Sequence, residues 1–474
     1  MLMTLLILIV LFLKLLDFIY LFQIKEYRFD RFIAFMNEEG LSRIFYFRII
    51  RLPARKLRNV GILIASSVII ILMSINILYL PFVYQVIILF ISPIAVFVVC
   101  SLMIFLTNVA AFFYRQLIIL KATKVAKSSK TIFIGITGSY GKTSIKEFLY
   151  QILSKKYRVA KTEANINTDI GIALSILKNL KKDTQFFIIE LGAYKIGEIA
   201  KACKIINLKY GILTGIGNQH LGLFGSKENL IKAKAELFQA LPNNGIAYIN
   251  KDAIRNNQLL SYVSCQSKLY SVTESADIYA KDISYINNYL QAKIYYKNSP
   301  FEIKTKLLGL HNLLNLLPCI ALALDLKISN KDVINALGKI KNISARLSLQ
   351  KGVHSSTILN DSYNSNVNGF LAAIEVAQSL NNKKKFIISR GIIELGQEKH
   401  DSYKKIVERL NNSDLTLLTT DLLFKKYDEQ NKVTVFNNES MLWQYLQTII
   451  DKNFLVVIEG KFPSWFNELL MLKQ

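Results

Sequence analysis

An α/β fold, in which apolar transmembrane helices precede a P-loop central domain and a Rossmann-like carboxyl-terminal domain, is predicted by three observations. Residues 59 to 114 carry no charged side chain. Thr137 to Ser144 read TGSYGKTS directly after the apolar run Ile132 to Ile136. From there to the end of the chain, apolar runs of strand length alternate with amphipathic stretches of helix length, which is the pattern of βαβ units and a parallel sheet.

The amino-terminal elements follow from charge and length. Leu5 to Phe22 is apolar apart from Lys14 and Asp17, whose spacing places them on one helix face. It predicts a helix over about 4–23, read as a retained anchor. The uncharged run 59–114 has Pro81 near its middle, and a bilayer core takes roughly 20 apolar residues per helix. Two further helices are expected, at about 59–79 and 83–106, joined by a turn around Tyr79 to Phe82. Arg43, Arg48, Arg51, Arg55, Lys56 and Arg58 precede this hairpin, and Arg115, Lys121, Lys124, Lys127 and Lys130 follow it without an acid. The positive-inside rule assigns both flanks to the cytoplasm. Residues 1–130 are therefore expected as a membrane region with a basic linker. The expected partner is the lipid bilayer, and the expected location is the cytoplasmic membrane with the later domains facing the cytoplasm.

The chain has 59 Lys+Arg against 34 Asp+Glu, a formal net charge of +25, and much of that excess flanks the apolar segments. No aromatic stacking platform or reading helix accompanies it in the sequence, so a nucleic-acid partner is not expected. The four cysteines, Cys100, Cys203, Cys265 and Cys319, form no CxxC pair, which points to a reduced, zinc-free protein.

After the linker, strands are expected at Ile132–Ile136, Phe186–Glu190, Tyr210–Thr214 and Ala247–Asn250, with helices starting at Lys142, Ile196 and Lys227. Ile278 to Ile303 reads as short strands and turns. The alternation resumes at Ile358, with strands at Phe386–Ser389, Leu415–Leu418 and Leu455–Glu459. The central domain is thus expected at 131–345 and the carboxyl-terminal domain at 346–474, with the junction near Ser344 to Gln350.

The chemistry concentrates at the ends of the early strands. In the loop, Gly138 and Gly141 let the backbone of Ser139, Tyr140 and Ser144 approach phosphate oxygens, Lys142 can reach the terminal phosphates, and the Thr143 hydroxyl is placed for Mg²⁺. A strict P-loop would have glycine where this chain has Ile136, so the loop is a shorter GxxGKT variant. Glu190 ends an apolar strand and can hold Mg²⁺ from the carboxyl edge of the sheet, opposite Thr143. The next strand leads to His220, which is brought toward the same edge.

Together with these, several ordered motifs resemble the Mur ligase family of ATP-dependent amide-forming enzymes of peptidoglycan synthesis. They are Asn165 to Thr168, Glu190-Leu191-Gly192-Ala193 with Gly197-Glu198-Ile199, Gln219-His220-Leu221 with Phe224-Gly225-Ser226, Ala233-Lys234-Ala235-Glu236, Asn250-Lys251-Asp252, Gly309-Leu310-His311-Asn312 with Asn315, Arg346, and Asp361 to Asn366. Phe224 to Ser226 and Glu394-Leu395-Gly396 resemble the branch that joins D-alanyl-D-alanine to a UDP-muramoyl tripeptide. The resemblance implies ATP and one or two Mg²⁺ ions, the first held by Thr143 and Glu190 and the second by His220. It implies that Lys142 neutralises phosphate charge, and that Lys234 is carbamylated by CO₂ into a carboxylate-like metal ligand. It also implies that Asn312 and Asp361 hold adenine and ribose, and that Arg346 meets phosphate at the domain junction. The substrates implied are a small-molecule or lipid-linked cell-wall precursor and an amino acid or dipeptide, joined through an acyl phosphate.

The chain also departs from the family pattern. Membrane segments stand where the family has its UDP-binding domain, Asn360 stands before Asp361 where many members have a second acid, Ser389-Arg390-Gly391 replaces Gly-Asp-Met, and Ile458-Glu459-Gly460-Lys461 differs from a Lys-Gly-Ser-Arg-like pattern. A poly-amino-acid capsule synthetase of polyglutamate type and a P-loop ATPase driving a membrane process are the alternatives.

Overall fold

The computed structural model describes residues 2–45, 52–75, 79–163, 166–217, 224, 226–253, 257–286, 289–297, 299–341, 346–363, 365–382, 384–392, 395 and 399–471. It divides into two compact units, Met1–Ile118 and Ile119–Gln474.

The first unit is helical. Its elements are α1 (Leu2–Ile24), α2 (Phe29–Glu39), α3 (Leu57–Ser74) and most of α4 (Phe82–Ser128). Phe18, Phe22, Phe32 and Phe97 lie at its core, with Phe22 stacked on Phe32 at 4.0 Å between centroids. Lys14 and Asp17 do meet, at 3.3 Å, but the closer partner of Asp17 is Arg43, which grips both carboxylate oxygens at 2.8 and 2.9 Å. The two expected helices of the hairpin are present as α3 and α4, with Pro81 just before α4. Their bounds differ from the expectation, because α4 does not stop near residue 106 but runs to Ser128. The basic stretch expected as a linker is therefore helix. Arg115 to Lys127 contains neither glycine nor proline, so nothing in it breaks the hydrogen-bond ladder.

The second unit opens with β1 (Ile132–Thr137), α5 (Lys142–Leu153), β2 (Val159–Lys161), α6 (Asp169–Asn179), β3 (Phe186–Glu190), α7 (Glu198–Cys203), β4 (Leu208–Leu213), α8 (Lys227–Gln239) and β5 (Ile246–Asn250). There follow β6 (Gln266–Ser271), β7 (Ile278–Ile286), β8 (Tyr289–Tyr296), β9 (Ser299–Thr305), α9 (Leu310–Asp325) and α10 (Asn330–Gly338). These strands form one sheet in the order β2-β3-β1-β4-β5-β6-β7-β8-β9, parallel through β7 and antiparallel from β7 to β9. The continuous apolar character of β1 and β3 suits strands covered on both faces. β3 and β4 flank β1 on opposite sides. The chain changes direction across the sheet there, and an α/β sheet binds ligands at the carboxyl ends of strands at such a point.

A second sheet is built from β10 (Ser348–Lys351), β11 (Thr357–Asp361), β12 (Lys384–Ser389), β13 (Leu415–Thr419), β14 (Val433–Val435) and β15 (Phe454–Glu459). Its order is β10-β11-β15-β12-β13-β14, with β10 antiparallel and the rest parallel. The helices α11 (Val367–Ser379), α12 (Lys399–Asn411), α13 (Glu439–Ile449) and α14 (Ser464–Leu470) alternate with the strands. Because β15 is inserted last, between β11 and β12, Glu459 sits in register with both Asp361 and Ser389.

The expected strands of both sheets are present within two residues of their predicted ends. Ile278 to Ile303, read as short strands and turns, is instead an antiparallel extension of the first sheet. Its tie to α9 is Asp325, at the helix end. That carboxylate accepts hydrogen bonds from Tyr248 and Lys268 at 2.6 Å each, from Tyr296 at 2.5 Å and from Lys297 at 3.1 Å. Burial would raise its pKa, but these four donors outweigh it and hold the group down at about 2. Asp325→Ala leaves the largely buried Lys268 without its carboxylate and is expected to cost about 3 kcal/mol. The linkage sign is that of an acid with a depressed folded value, so this contribution is complete above pH 3.8 and is lost as pH falls through about 2. Urea unfolding of both proteins at neutral and at acid pH measures it.

Candidate active site

The loop between β1 and α5 turns on two glycines. Gly138 has φ 145° and Gly141 φ 80°. A Cβ on Gly138 would fall 2.0 Å from the Thr214 hydroxyl, so no side chain can stand there. The loop is bound to the segment after β4 by Ser139 N–H donating to the Gly215 carbonyl at 2.8 Å and Thr214 N–H donating to Thr137 at 2.9 Å. The Thr214 hydroxyl donates to the Tyr140 carbonyl. The Tyr140 ring covers Gly215 and Gly217, which leave room for it. Gly141 then caps α5, whose first N–H groups have no helical partner and suit an anion.

Lys142 turns back over this loop, its Nζ donating to the Gly138 carbonyl at 2.7 Å. Burial pushes its pKa down, Glu190 opposes that shift, and Arg346 adds to it. Glu190 is buried at the end of β3 and accepts from the Thr143 hydroxyl at 2.9 Å. Lys146 Nζ reaches the same carboxylate oxygen at 3.1 Å and also donates to the Glu163 carbonyl at 3.1 Å. Sequence reasoning missed Lys146, although its spacing from Lys142 puts both ammonium groups on one face of α5.

One carboxylate beside one hydroxyl is a fitting donor set for Mg²⁺, which keeps water and phosphate oxygens as its other ligands. Among the described residues no three His, Cys, Asp or Glu gather into a metal cage. His220, expected as a second ligand, lies outside the described residues, as do Asn165, Gln219, Leu221, Gly225, Asn364, Glu394 and Gly396 of the motifs.

Lys234 is no surface lysine. It is 3% exposed on α8 and faces a cleft that it shares with Gly138, Ser139, Lys142, Asn167 and Gly192. Burial lowers its pKa to about 7, Lys142 adds to the shift, and Glu236 and Glu198 oppose it. Glu236 is itself engaged, accepting the Gly197 and Ala200 N–H groups at the start of α7.

Arg346 links the two sheets. Its Nη1 donates to the Ser144 hydroxyl at 3.1 Å, and its guanidinium lies 4.1 Å from the centroid of the Tyr363 ring. Its buried Nε meets no acceptor among the described residues, which suits it to an anionic ligand. Asp361 Oδ1 accepts the neighbouring Leu347 N–H at 3.3 Å. Burial raises the Asp361 pKa to about 6 against the pull of Leu347 N–H and Arg346. His311 is half-buried near Arg346 and, with desolvation foremost and Arg346 second, is held down at about 4 and so neutral. Asn312 gives its amide to the Leu308 carbonyl at 2.7 Å rather than to the cleft, while Asn315 stands against Gly141. The structure thus brings Gly138, Ser139, Lys142, Thr143, Glu190 and Lys234 to one place. It connects Ser144 to Arg346 and Asp361 across the junction.

The Mur ligase middle domain matches residues 136–323. A UDP-N-acetylmuramoyl-tripeptide--D-alanyl-D-alanine ligase of Borreliella burgdorferi is 31% identical over 357 residues, covering 72% of this chain and 74% of that protein. This chain belongs to the Mur ligase family. The ligase of the same name from Bacillus subtilis is 31% identical over 277 residues, 58% of this chain and 59% of its own length. The crystal structure of a MurF from Acinetobacter baumannii superposes with a TM-score of 0.67 at 23% identity, covering 73% of this chain and 77% of that one, which shows the fold. The MurF ligase of Thermotoga maritima in complex with ADP gives 0.65 at 25% identity, with 73% and 80% covered.

These comparisons correct the expected location. The relatives and structural neighbours that this chain matches are ligases named for a UDP-linked precursor and lend no support to a membrane location, so the cytoplasmic membrane is not retained as its place. The helices α1, α3 and α4 are long and apolar enough to cross a membrane, by length and composition only. In α1, 56% of the most apolar window is already covered by protein, which composition could not reveal.

Removing the buried cation beside Glu190 leaves an uncompensated carboxylate. Lys146→Met is expected to lower the unfolding free energy by about 3–5 kcal/mol, read from urea melts, whereas a surface lysine changed in the same way stays within about 0.5 kcal/mol.

Proposed function

We propose that this Mur ligase forms an amide bond at the expense of ATP, joining D-alanyl-D-alanine, or a related amino acid or dipeptide, to a carboxylate of a cell-wall precursor. The observation that carries the reading is the meeting of Lys142 and Lys234 on one cleft at the carboxyl edge of β1 and β3, with Thr143, next to Lys142 in the chain, hydrogen-bonded to Glu190. The relatives' name supplies the first pair of substrates to test.

In this reading a carboxylate oxygen of the precursor takes the γ-phosphoryl group of ATP, and ADP leaves with the bridging oxygen and its electron pair. The nitrogen of the neutral amine then attacks the acyl carbon, phosphate leaves, and the amine loses a proton to form the amide. Positioning and charge neutralisation dominate phosphoryl transfer. The α5 N-terminus and Lys142 cradle phosphate, and Arg346 brings a second cation from the other sheet. Thr143 and Glu190 would hold Mg²⁺, which when bound neutralises charge on the phosphates. Asp361 would hold the ribose, and Asn312 shapes the adenine end through the start of α9.

Lys234 suits carbamylation because CO₂ adds only to a neutral amine. A lysine titrating near 7 has that form at physiological pH, and the Lys142 ammonium would face the resulting anion. The ligase rate is expected to fall about tenfold or more when dissolved CO₂ is stripped and to return with bicarbonate. In CO₂-free buffer, the unfolded chain binds more protons than the folded one between about pH 7 and 10.5, so Lys234 makes stability rise with pH across that window. Lys234→Met is therefore expected to be more stable than wild type near pH 7, by an amount on the order of a few kcal/mol that closes toward alkaline pH. Thermal melts across this range test the sign.

The direct test is ADP release by the purified full chain with UDP-muramoyl tripeptide and D-alanyl-D-alanine. Release requiring both, and lost by about 100-fold or more in Lys142→Ala, is the expected result. Release that ignores the amine would replace the ligase reading with that of an ATPase.

A further inference from the structure

At the carboxyl edge of the second sheet, two acids stand side by side in a place that the ligase chemistry leaves unexplained. Asp361 ends β11, Glu459 ends β15, and the parallel register sets them opposite each other. Glu459 is completely buried. The Ser365 hydroxyl donates to its Oε1 at 2.8 Å, and its Oε2 meets no conventional donor among the described residues. The register sets the two carboxyl groups at neighbouring strand ends, where each acts on the ionisation of the other. A fully buried carboxylate and a half-buried one on neighbouring strand ends are not both ionised, so the pair shares a proton.

The surroundings decide which partner carries it. Asp361 receives the Leu347 N–H and faces the Arg346 guanidinium, both of which favour its anion. Glu459 has neither. Besides its own two acids, the titratable groups by the pair are Arg346 from the junction and, next to Arg346, the neutral His311 of α9, while β12 contributes only the uncharged Ser389. Burial and the Asp361 anion push Glu459 well above the usual carboxylate range, and Asp361 titrates lower, at about 6.

We propose that Glu459 is a positioning residue: as a neutral carboxylic acid it donates a hydrogen bond to Asp361 and keeps that carboxylate ionised beside the Arg346–Leu347 segment, which reaches Ser144 on the P-loop helix. The inference rests on the nucleotide reading of Asp361 and Arg346 given above. It makes nucleotide binding depend on pH from two sides. Protonation of Asp361 weakens it below about pH 6, and ionisation of Glu459 weakens it at alkaline pH, when two anions repel and Asp361 turns from its place.

The test is ADP affinity in the presence of Mg²⁺, measured calorimetrically on the full chain from about pH 5.5 to about 9.5, for wild type, Glu459→Gln and Glu459→Ala. The glutamine amide can donate to Asp361 and cannot ionise. Wild-type affinity is expected to fall about tenfold or more at the alkaline end, Glu459→Gln to stay level there, and Glu459→Ala to bind weakly throughout. Melting without nucleotide gives an independent readout of the proton. An acid raised above 4.5 on folding costs stability as pH climbs, so Glu459→Gln gains on wild type with rising pH. Parallel affinity profiles for wild type and Glu459→Gln, with that melting difference present, would overturn the positioning role. A melting difference that does not change with pH would overturn the shared proton. Wild-type protein that binds no ADP at any pH, while the melts behave as expected, would overturn the nucleotide reading and the positioning role with it, leaving the shared proton standing.

Discussion

Everything at the candidate site depends on how closely the loop after β1 approaches the segment after β4. Buried backbone groups must find partners, and here they find them in each other, through Ser139 with Gly215 and Thr214 with Thr137. The approach is tolerable only because Gly138 has no side chain to strike Thr214. Once the loop is bound there, α5 must start at Lys142. Its first turn carries Thr143 to Glu190 and its second carries Lys146 to the same carboxylate.

That arrangement solves an electrostatic problem. A phosphate site needs cations, and cations in a buried cleft repel one another. Glu190 offsets Lys146 at 3.1 Å and favours the charged form of Lys142. Lys234 is pushed down by burial, to about 7, with Glu236 and Glu198 opposing the shift. Arg346 comes to the site across the junction, near Asp361. The second sheet supplies that acid from the end of β11, beside a Glu459 that cannot also be an anion. Lys142 and Lys234 are of one type and both are pushed down by burial, but the charges that act on them differ.

The amino-terminal unit shows what composition alone can mislead about. An uncharged run of sufficient length predicts helix, and helices are present as α3 and α4. Its surroundings are a different matter, decided by what covers the helices. Lys14 and Asp17 looked like a polar interruption of α1; they are buried with Arg43, which holds the carboxylate in a two-point grip. The spacing of three residues was visible, whereas Arg43, twenty-six positions from Asp17, was not.

The order of strands and helices, the TGSYGKTS loop and the placing of Glu190 at a strand end were all legible in the sequence, because each rests on local periodicity or on a residue whose backbone freedom is its function. The burial of Lys234 was not legible, since a lysine on an amphipathic helix reads the same whether its face meets solvent or a cleft. Nor was Lys146, whose role needs Glu190 to arrive from a different strand. The pairing of Asp361 with Glu459 joins positions almost one hundred residues apart, and it exists because β15 inserts between β11 and β12. The sequence by itself determined which groups are available and which local structures carry them. Tertiary structure decided which charges meet, because proton affinity and reach depend on distance and burial, and neither is a property of a residue in its own segment.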